Sequence, residues 1–447
     1  MNSFYRVWIF ALLVKSALAV WLPFSNDEAY YWVWGHHPQW SYYDHPPFVG
    51  WLMWLGTFLE SFGNAARLPG VWLGHFTLLV WHQILKPFLD EKRATSWLIF
   101  VLFSPFLGLG SLIITPDVPL LFFWSLSLLL LLRLLEKPSA LRYAAFGASL
   151  GLGFCSKYMI VLFVPTAVLW IFWSGKWRQV RWIYVPLTIA FGLAFCFPVL
   201  YWNLQNDWIS FRFQLDHGFK SDNWNWLVPL EYVGGQILIL FPTVAWLVVR
   251  RKTPINAQFL HFFGWVPLAF FLYSSFKAPV EANWPIMAHP ALLSLAFISA
   301  PDSKALRATV GIWMAASLIV ISEAAHHWLP VDPSQLKTYE FTRFDVFLAH
   351  MDKKEPVYLG SYQAAASVSY KLRRQYYKLG GMNRRDFYDF LPSSYPDPHK
   401  TFWIGCENGQ EPPEWLKENT DLELSEVRLN DEFRMIEVRP RAQTTDR

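Results

Sequence analysis

The chain contains little charge and little cysteine for its length. Only 16% of its 447 residues are charged, and 54% are hydrophobic, whereas soluble domains carry roughly 25% charged residues. A net charge of +4 is too small to indicate nucleic-acid binding. The three cysteines are widely spaced and odd in number, which excludes a disulfide framework and zinc-binding spacing: they are Cys155, Cys196 and Cys406. This composition predicts a membrane protein.

Long apolar runs predict a multi-pass α-helical membrane protein with about eleven spans. A helix needs about 20 mostly apolar residues to cross a bilayer. The first run has no small-residue cleavage site after it, so we expect a spanning helix there and not a cleaved signal peptide. The candidate spans lie near residues 5–23, 70–88, 94–112, 118–135, 142–155, 159–174, 182–202, 230–249, 259–275, 285–300 and 306–322.

The loops between these spans differ sharply in their content of Lys and Arg. One set of loops contains the basic clusters 92–93, 176–181 and 250–252. The basic residues of the other set are only Arg67, Lys157, Arg212, Lys220 and Lys277. Because cytoplasmic loops carry the excess of Lys and Arg, we expect the first set in the cytoplasm. The second set and the C-terminal tail, with Cys406, then face outward, into the periplasm of a bacterial inner membrane.

The tail differs in composition from the rest of the chain and predicts a second domain. It holds nearly half of the Lys and Arg, and its pattern alternates between strand-like and helix-like segments. Strands are expected at 356–359, 401–405, 422–427 and 433–438, and helices at 362–372 and 415–419. We therefore expect a transmembrane domain over 1–322, with a first external loop at 24–69, and a small external α/β domain over 323–447.

The first external loop places carboxylates at the edge of the predicted membrane. Asp27 and Glu28 follow the first span directly, and Asp44 and His45 precede an apolar segment that is too short to cross. Carboxylates are costly near hydrocarbon, so such a cluster predicts a functional site. A solvated loop is the plain alternative.

These motifs resemble a known family. Asp27-Glu28, a Tyr-rich segment and Asp44-His45-Pro46-Pro47 resemble the first external loop of GT-C type polyprenyl-phosphate-sugar glycosyltransferases, which include protein O-mannosyltransferases and bacterial lipid A aminoarabinose transferases. Thr115-Pro116-Asp117 and Ser156-Lys157-Tyr158 are similar to later family motifs. Glu281-Ala282-Asn283-Trp284 resembles a further stretch of the bacterial enzymes. The resemblance covers roughly residues 5–300 and implies the GT-C fold.

The resemblance implies a single displacement that needs a carboxylate base. A carboxylate within hydrogen-bond reach of the acceptor hydroxyl is the simplest base. We assign this role to Asp27, with Glu28 as a helper that orients it and Asp117 as a second catalytic carboxylate. The alternative for Asp27 and for Asp117 is capping of the helix that follows each of them.

The departing lipid phosphate needs cations. Lys157 has no acidic neighbour in sequence, which suits a phosphate partner, and His45 and Arg67 are further candidates. Snorkelling to the membrane surface is the alternative for Lys157. A histidine is charged only part of the time near neutral pH, which weakens the case for His45. Lesser candidates are Arg212, Lys220 and Lys277.

The remaining polar residues of these motifs are candidates for substrate binding. They are Tyr43, Asp44, Glu281 and Asn283. Asp44 and His45 are also candidate ligands of a divalent metal, since carboxylate and imidazole are suitable ligands. The sequence shows no helical pair of ligands four residues apart, and no cofactor is required by the pattern.

The sequence thus predicts a membrane glycosyltransferase. Its expected partners are a polyprenyl-phosphate-linked sugar donor, membrane lipid, and an acceptor hydroxyl or phosphate on a lipid, glycan or protein. The alternatives are a transporter of lipid-linked sugars and a polymerase or ligase of surface polysaccharide. A transporter would show internal repeats and broken helices near the midplane, and we find no convincing repeat.

Overall fold

The computed structural model describes residues 2–219 and 226–441, which fold into α-helices and one five-stranded sheet. Lys220 lies outside these residues. The α-helices are α1 (Ser3–Trp21), α2 (Asn26–His36), α3 (Phe48–Thr57), α4 (Leu68–Leu85), α5 (Glu91–Leu102), α6 (Asp117–Glu136), α7 (Ala140–Ser156), α8 (Phe163–Trp173), α9 (Val185–Gln205), α10 (Ile209–Phe219), α11 (Leu227–Leu240), α12 (Pro242–Arg250), α13 (Phe259–Ser275), α14 (His289–Ser299), α15 (Lys304–His326), α16 (Tyr362–Leu372) and α17 (Glu414–Lys417).

The chain divides into two compact units. The first, here called the membrane unit, comprises Met1–Trp21 and Gln39–Ile321. The second, the sheet unit, comprises Leu22–Pro38 and Ser322–Arg447. Residues 22–38, which we expected at the start of the transmembrane domain's first loop, therefore cluster with the tail.

The membrane unit is a multi-pass helical assembly, as expected. Among the described residues, five helical segments are long and apolar enough to cross a membrane: Ser3–Trp21, Asp117–Glu136, Trp182–Gln205, Ile255–Ser275 and Lys304–His326. The shorter apolar segments are Phe48–Thr57, Tyr158–Trp173 and Ile286–Ser299. The expected count of about eleven spans is not confirmed, because several of the predicted runs form short or broken helices.

Two of the predicted spans are interrupted for local steric reasons. The run at 230–249 is broken between α11 and α12, whose axes differ by 95°. The break falls at Phe241, with φ 71°, because Pro242 disfavours a helical conformation for the residue before it. The run at 94–112 ends as a helix at Leu102, shortly before Pro105.

Small residues bring α7 close to its neighbours. A Cβ added at Gly147 would lie 2.2 Å from the carbonyl oxygen of Thr188 on α9, and one at Gly151 would lie 2.5 Å from that of Gly192. Glycine is used at such contacts between membrane helices because it lets two backbones approach closely. The short connection from α6 to α7 makes them antiparallel neighbours, so the end of α7 returns to the start of α6.

The sheet unit contains the elements expected from the tail. Its strands are β1 (Val357–Leu359), β2 (Tyr377–Lys378), β3 (Phe402–Glu407), β4 (Leu422–Arg428) and β5 (Phe433–Pro440), in the spatial order β2-β1-β3-β5-β4. β1 pairs in parallel with β2 and β3, and β5 pairs antiparallel with β3 and β4. We did not predict β2, because two residues are too short to show an alternating pattern.

Aromatic side chains attach α2 to the rest of the sheet unit. Phe24, just before α2, stacks on Tyr370 of α16 with ring centroids 4.0 Å apart. The Tyr30 ring lies 4.4 Å from that of Tyr362, and its hydroxyl accepts a hydrogen bond of 2.9 Å from the backbone N–H of Phe387. These contacts hold the first turn of α2, which carries Asp27 and Glu28, within this unit.

Candidate active site

Three of the predicted site residues meet at the start of α6. The Nζ of Lys157 donates to Oδ1 of Asp117 at 2.7 Å, and the Nδ2 of Asn283 donates to Oδ2 at 2.7 Å. The pair is buried: the side chains of Lys157 and Asp117 are only 11% and 6% exposed. A buried charge requires a partner and hydrogen bonds, and both oxygens of this carboxylate have them.

The fold explains why Lys157 and Asp117 meet. Asp117 is the first residue of α6, and Lys157 follows directly after α7 in an extended conformation, with φ −159° and ψ 138°. Because α7 runs back along α6, residues 40 positions apart become neighbours. Lys157 thus has no acidic neighbour in the sequence but has one in the folded chain. Its location in a buried ion pair also argues against simple snorkelling.

Asp117 does not cap its helix. The residue before α6 is Pro116, and no side chain caps this helix end. The carboxylate of Asp117 is instead turned to Lys157 and Asn283, so the capping alternative is wrong for this residue.

A cavity of about 170 Å³ lies beside this cluster in the membrane unit. Its lining is largely apolar, and Thr77, Ser111, Thr115, Asp117 and Asn283 contribute polar groups. Ser111 also accepts a 2.6 Å hydrogen bond from the buried ammonium of Lys15 on α1. Lys15, in the middle of α1, is therefore buried against protein and does not reach to the membrane surface.

Asp27 does not cap α2 either. The N-cap is Ser25, whose Oγ accepts a bond of 3.2 Å from the backbone N–H of Glu28. The Oε2 of Glu28 in turn accepts from the backbone N–H of Ser25 at 3.1 Å, which completes a capping box. Glu28 is fully buried, whereas Asp27 is exposed. Glu28 therefore fixes the turn that presents Asp27. Its role as a helper in catalysis stays a prediction.

Asp27 lines a large polar cavity of the sheet unit, with a volume of about 760 Å³. Glu340 lines the same cavity and makes an ion pair of 2.9 Å with Lys337. Burial raises the pKa of Glu340 above its usual value, Lys337 opposes the rise, and the negative charge of Asp27 adds to it. Sequence reasoning missed Glu340, because no motif surrounds it and only the tertiary fold brings it near Asp27.

The second motif of the first loop is well packed in the membrane unit. Asp44 is buried, and its backbone carbonyl accepts a 2.8 Å bond from the side-chain amide of Gln214. The ring of Tyr43 lies 4.9 Å from that of Phe213, and His45 is partly buried. Across residues 2–219 and 226–441, no group of three or more His, Cys, Asp or Glu side chains is arranged to hold a metal ion.

Arg67 and Glu281 have contrasting environments. Arg67 is 1% exposed, and its Nη1 donates to the carbonyl of Ala19 near the end of α1 at 3.2 Å. This contact stabilises the end of the helix, and a phosphate role for Arg67 stays a prediction. Glu281 is exposed at the start of the segment that carries Asn283, so its role in substrate binding also stays a prediction.

Comparisons with known proteins give consistent matches. The sequence model of the family described as dolichyl-phosphate-mannose-protein mannosyltransferase matches residues 44–202. The lipid A galacturonosyltransferase RgtD of Rhizobium johnstonii is 26% identical over 377 residues, which cover 80% of this chain and 79% of the relative. The range matched by the family model includes Asp44, Asp117 and Lys157.

The fold is similar to that of a protein of known structure. Crystal structures of ArnT from Cupriavidus metallidurans, one bound to undecaprenyl phosphate and one in the apo state, match with TM-scores of 0.67 and 0.66. Each match covers 97% of both chains at 15% identity. The similarity therefore extends over the membrane helices and the small sheet domain alike.

Proposed function

We infer that this chain is a polyprenyl-phosphate-sugar glycosyltransferase of the GT-C type, the family that its motifs resemble. The family match over residues 44–202 and the similarity to RgtD support this assignment. It is a multi-pass membrane enzyme that takes its sugar from a lipid-phosphate donor. The transporter and polymerase alternatives find no support in these matches.

The observation that carries the site assignment is the buried cluster of Asp117, Lys157 and Asn283. Lysine has three N–H donors, and one of them is used by Asp117 at 2.7 Å. The other two are suited to the phosphate of the donor. Asp117 and Asn283 fix the position of the ammonium, so that it stabilises the negative charge that develops on the departing polyprenyl phosphate.

We assign the base to Asp27. In the proposed step, the acceptor hydroxyl oxygen forms a bond to C1 of the donor sugar as its proton passes to the Asp27 carboxylate. The bond from C1 to the phosphate oxygen breaks, and its electron pair leaves with the polyprenyl phosphate. A single displacement of this kind inverts the configuration at C1. The exposure of Asp27 in a polar cavity supports the assignment, because the base must be reached by the acceptor.

The proposed setting is the bacterial inner membrane, with the site and the sheet unit facing the periplasm. The asymmetry of Lys and Arg between the loops supports this orientation. About eleven crossings would require some pairs of short helices to form one membrane crossing each. The bent pair α11 and α12 would be one such crossing. The domain boundary is proposed near residue 322, with residues 22–38 added to the sheet unit.

The test is a comparison of surface glycolipids between a strain that lacks the gene and the same strain complemented with it. Mass spectrometry should find a glycolipid that is one sugar residue lighter in the deletion strain and restored by the wild-type gene. Complementation with Lys157→Met at normal protein level should fail to restore it. An unchanged glycolipid and glycoprotein profile in the deletion strain would contradict the proposal.

A further inference from the structure

A further cavity of the sheet unit lies beyond the end of α16 and has a volume of about 420 Å³. Its walls come from residues within 351–358, which run into β1, from 374–377, which run into β2, and from residues within 393–397. The cavity that Asp27 lines touches the other end of α16, at residues 361–363. Because this helix of 11 residues is about 16 Å long, the two cavities are separate. The volume falls within the range of about 300–1,000 Å³ that is typical of small-molecule pockets.

Three cations line this cavity, and none of them is paired with a carboxylate in the part of the chain that the structure describes. They are Lys353, Lys354 and Arg374. Elsewhere in the sheet unit basic side chains are commonly paired, for example Arg434 with Glu426 at 2.7 Å. The ammonium and guanidinium groups carry only hydrogen-bond donors. Their donors are therefore available to an incoming anion, which has no carboxylate to displace.

Aromatic rings hold two of these cations in place. The Nζ of Lys353 lies 3.8 Å from the centroid of the Trp403 ring, and the guanidinium carbon of Arg374 lies 5.7 Å from that of Tyr376. A cation–π contact attracts a cation without neutralising its charge, whereas a carboxylate partner would neutralise it. The two cations are therefore restrained and still charged, and the planar guanidinium suits bidentate binding of a carboxylate or a phosphate.

The carboxylates of the wall leave it with a positive balance. Asp397 lines the cavity and lies 3.7 Å from Lys400, which does not line it, so the charge of Asp397 is offset from outside. Glu355 is partly buried and has no ion pair among the described residues. Three cations thus face one unpaired carboxylate. The cavity that Asp27 lines has the opposite balance, with five carboxylates and two cations.

Tyrosines supply flat surfaces and hydroxyl groups in the same wall. Tyr358 and Tyr377 are partly buried, and Tyr395 is 50% exposed. Across residues 2–219 and 226–441, the hydroxyls of these three side chains make no hydrogen bond. A tyrosine has an apolar body and a polar tip, and a pyranose likewise has an apolar face of C–H groups with hydroxyls at its rim. Together with the cations, this wall fits a sugar that carries an anionic group.

We propose that this cavity binds a saccharide that carries a carboxylate or a phosphate. The anionic group binds Lys353 and Arg374, and the sugar ring lies against the tyrosines. The site is separate from Asp27 and takes no part in the transfer step. The proposal therefore goes beyond the proposed function, and its test requires no sugar transfer.

The experiment measures binding of small saccharides by the full chain in nanodiscs of zwitterionic lipid. The probes are trimannuronate, which carries carboxylates, its uncharged counterpart mannotriose, mannose 6-phosphate and inorganic phosphate. We expect at least one charged saccharide to bind about 10-fold or more tightly than both mannotriose and inorganic phosphate. The tighter of the two charged saccharides then identifies the anionic group. Equal binding of charged and uncharged saccharides, or binding of none, would overturn the proposal. Inorganic phosphate that binds as tightly as the saccharides would show a site for the ion alone and would also overturn it.

Variants of the wall locate the binding. Lys353→Met and Arg374→Gln remove a charge but keep much of the side chain, and each should weaken binding of the charged saccharide by about 5- to 10-fold. Glu355→Gln should strengthen it by about 2- to 5-fold, because it removes the unpaired carboxylate. Arg428→Gln is the matched control, since Arg428 is an exposed cation of β4 outside the cavity, and it should leave the affinity unchanged. Equal losses in Arg374→Gln and Arg428→Gln, or an affinity that Lys353→Met and Arg374→Gln do not change, would contradict the proposal.

Discussion

Lys157 and Asp117 form a buried ion pair of 2.7 Å between the end of one membrane helix and the start of the next. Asn283 binds the other carboxylate oxygen at 2.7 Å, and among the described residues the ammonium donates to Asp117 alone. We infer that the pair positions the Lys157 ammonium to bind the phosphate of the donor.

Removal of the cation should therefore weaken donor binding. Lys157→Met leaves the Asp117 carboxylate buried without its partner and should weaken undecaprenyl phosphate binding by about 10- to 150-fold, which corresponds to a charge-assisted bond of roughly 1.5–3 kcal/mol. Asp117→Asn is the matched control, because it breaks the same pair but keeps the cation. It should weaken binding by clearly less than Lys157→Met does, because only the positioning of the ammonium is lost. If both variants weaken binding equally, the pair is structural and the phosphate role is wrong.

Asn283 should affect stability and donor binding through the Asp117 carboxylate, to which its side chain donates a hydrogen bond. Asn283→Ala removes a hydrogen bond to a charged group, so we expect a loss of about 1.5–3 kcal/mol of stability, measured by thermal or denaturant unfolding in detergent, together with a higher donor KM. Asn206→Ala serves as the control, because it removes a hydrogen bond that a side-chain amide donates to a backbone carbonyl elsewhere in the membrane unit. A stable Asn283→Ala variant with unchanged donor KM would contradict the role of the cluster.

The environment of Glu340 predicts a dependence of stability on pH. Its pKa in the folded chain is raised above the usual 4.5, mainly by burial. The folded state therefore binds this proton more tightly than the unfolded state, and the resulting stabilisation is full below pH 4.5 and is lost as pH rises through the folded pKa. Glu340→Gln should remove this loss, so that its melting temperature falls less than that of the wild type between pH 4.5 and 7. Parallel curves for the two proteins would contradict the assignment.

Orientation can be tested by thiol labelling at introduced cysteines. The native Cys406, which we expected in the outward-facing tail, is buried on β3. Its burial, and not its side of the membrane, would therefore limit labelling of this thiol. Val427→Cys places a thiol at an exposed position of β4, and Gln179→Cys places one in a basic loop. In intact spheroplasts an impermeant maleimide should label Val427→Cys alone. Labelling of Gln179→Cys alone would invert the proposed topology.

The sequence predicts local elements well and spatial neighbours poorly. The pattern of residues 362–372 gave the bounds of α16, and the capped first turn of α2 lies where the first-loop motif suggested a helix. The ion pair of Lys157 was not visible, because its partner lies 40 residues away. Glu340 was missed for the same reason. Periodicity and capping are local properties, whereas these contacts depend on how helices return and how a distant segment joins α2.

The role of Asp27 as the base of a glycosyl transfer is tested most directly by the initial rate of sugar transfer from a polyprenyl-phosphate-linked sugar donor by Asp27→Asn. This change keeps the size of the side chain and removes its basicity, so we expect a loss on the order of 100-fold or more in kcat at normal protein level. Asp352→Asn, at an exposed position of the same unit outside the cavity, should keep full activity. A transfer rate in Asp27→Asn near that of the wild type would rule out Asp27 as the base.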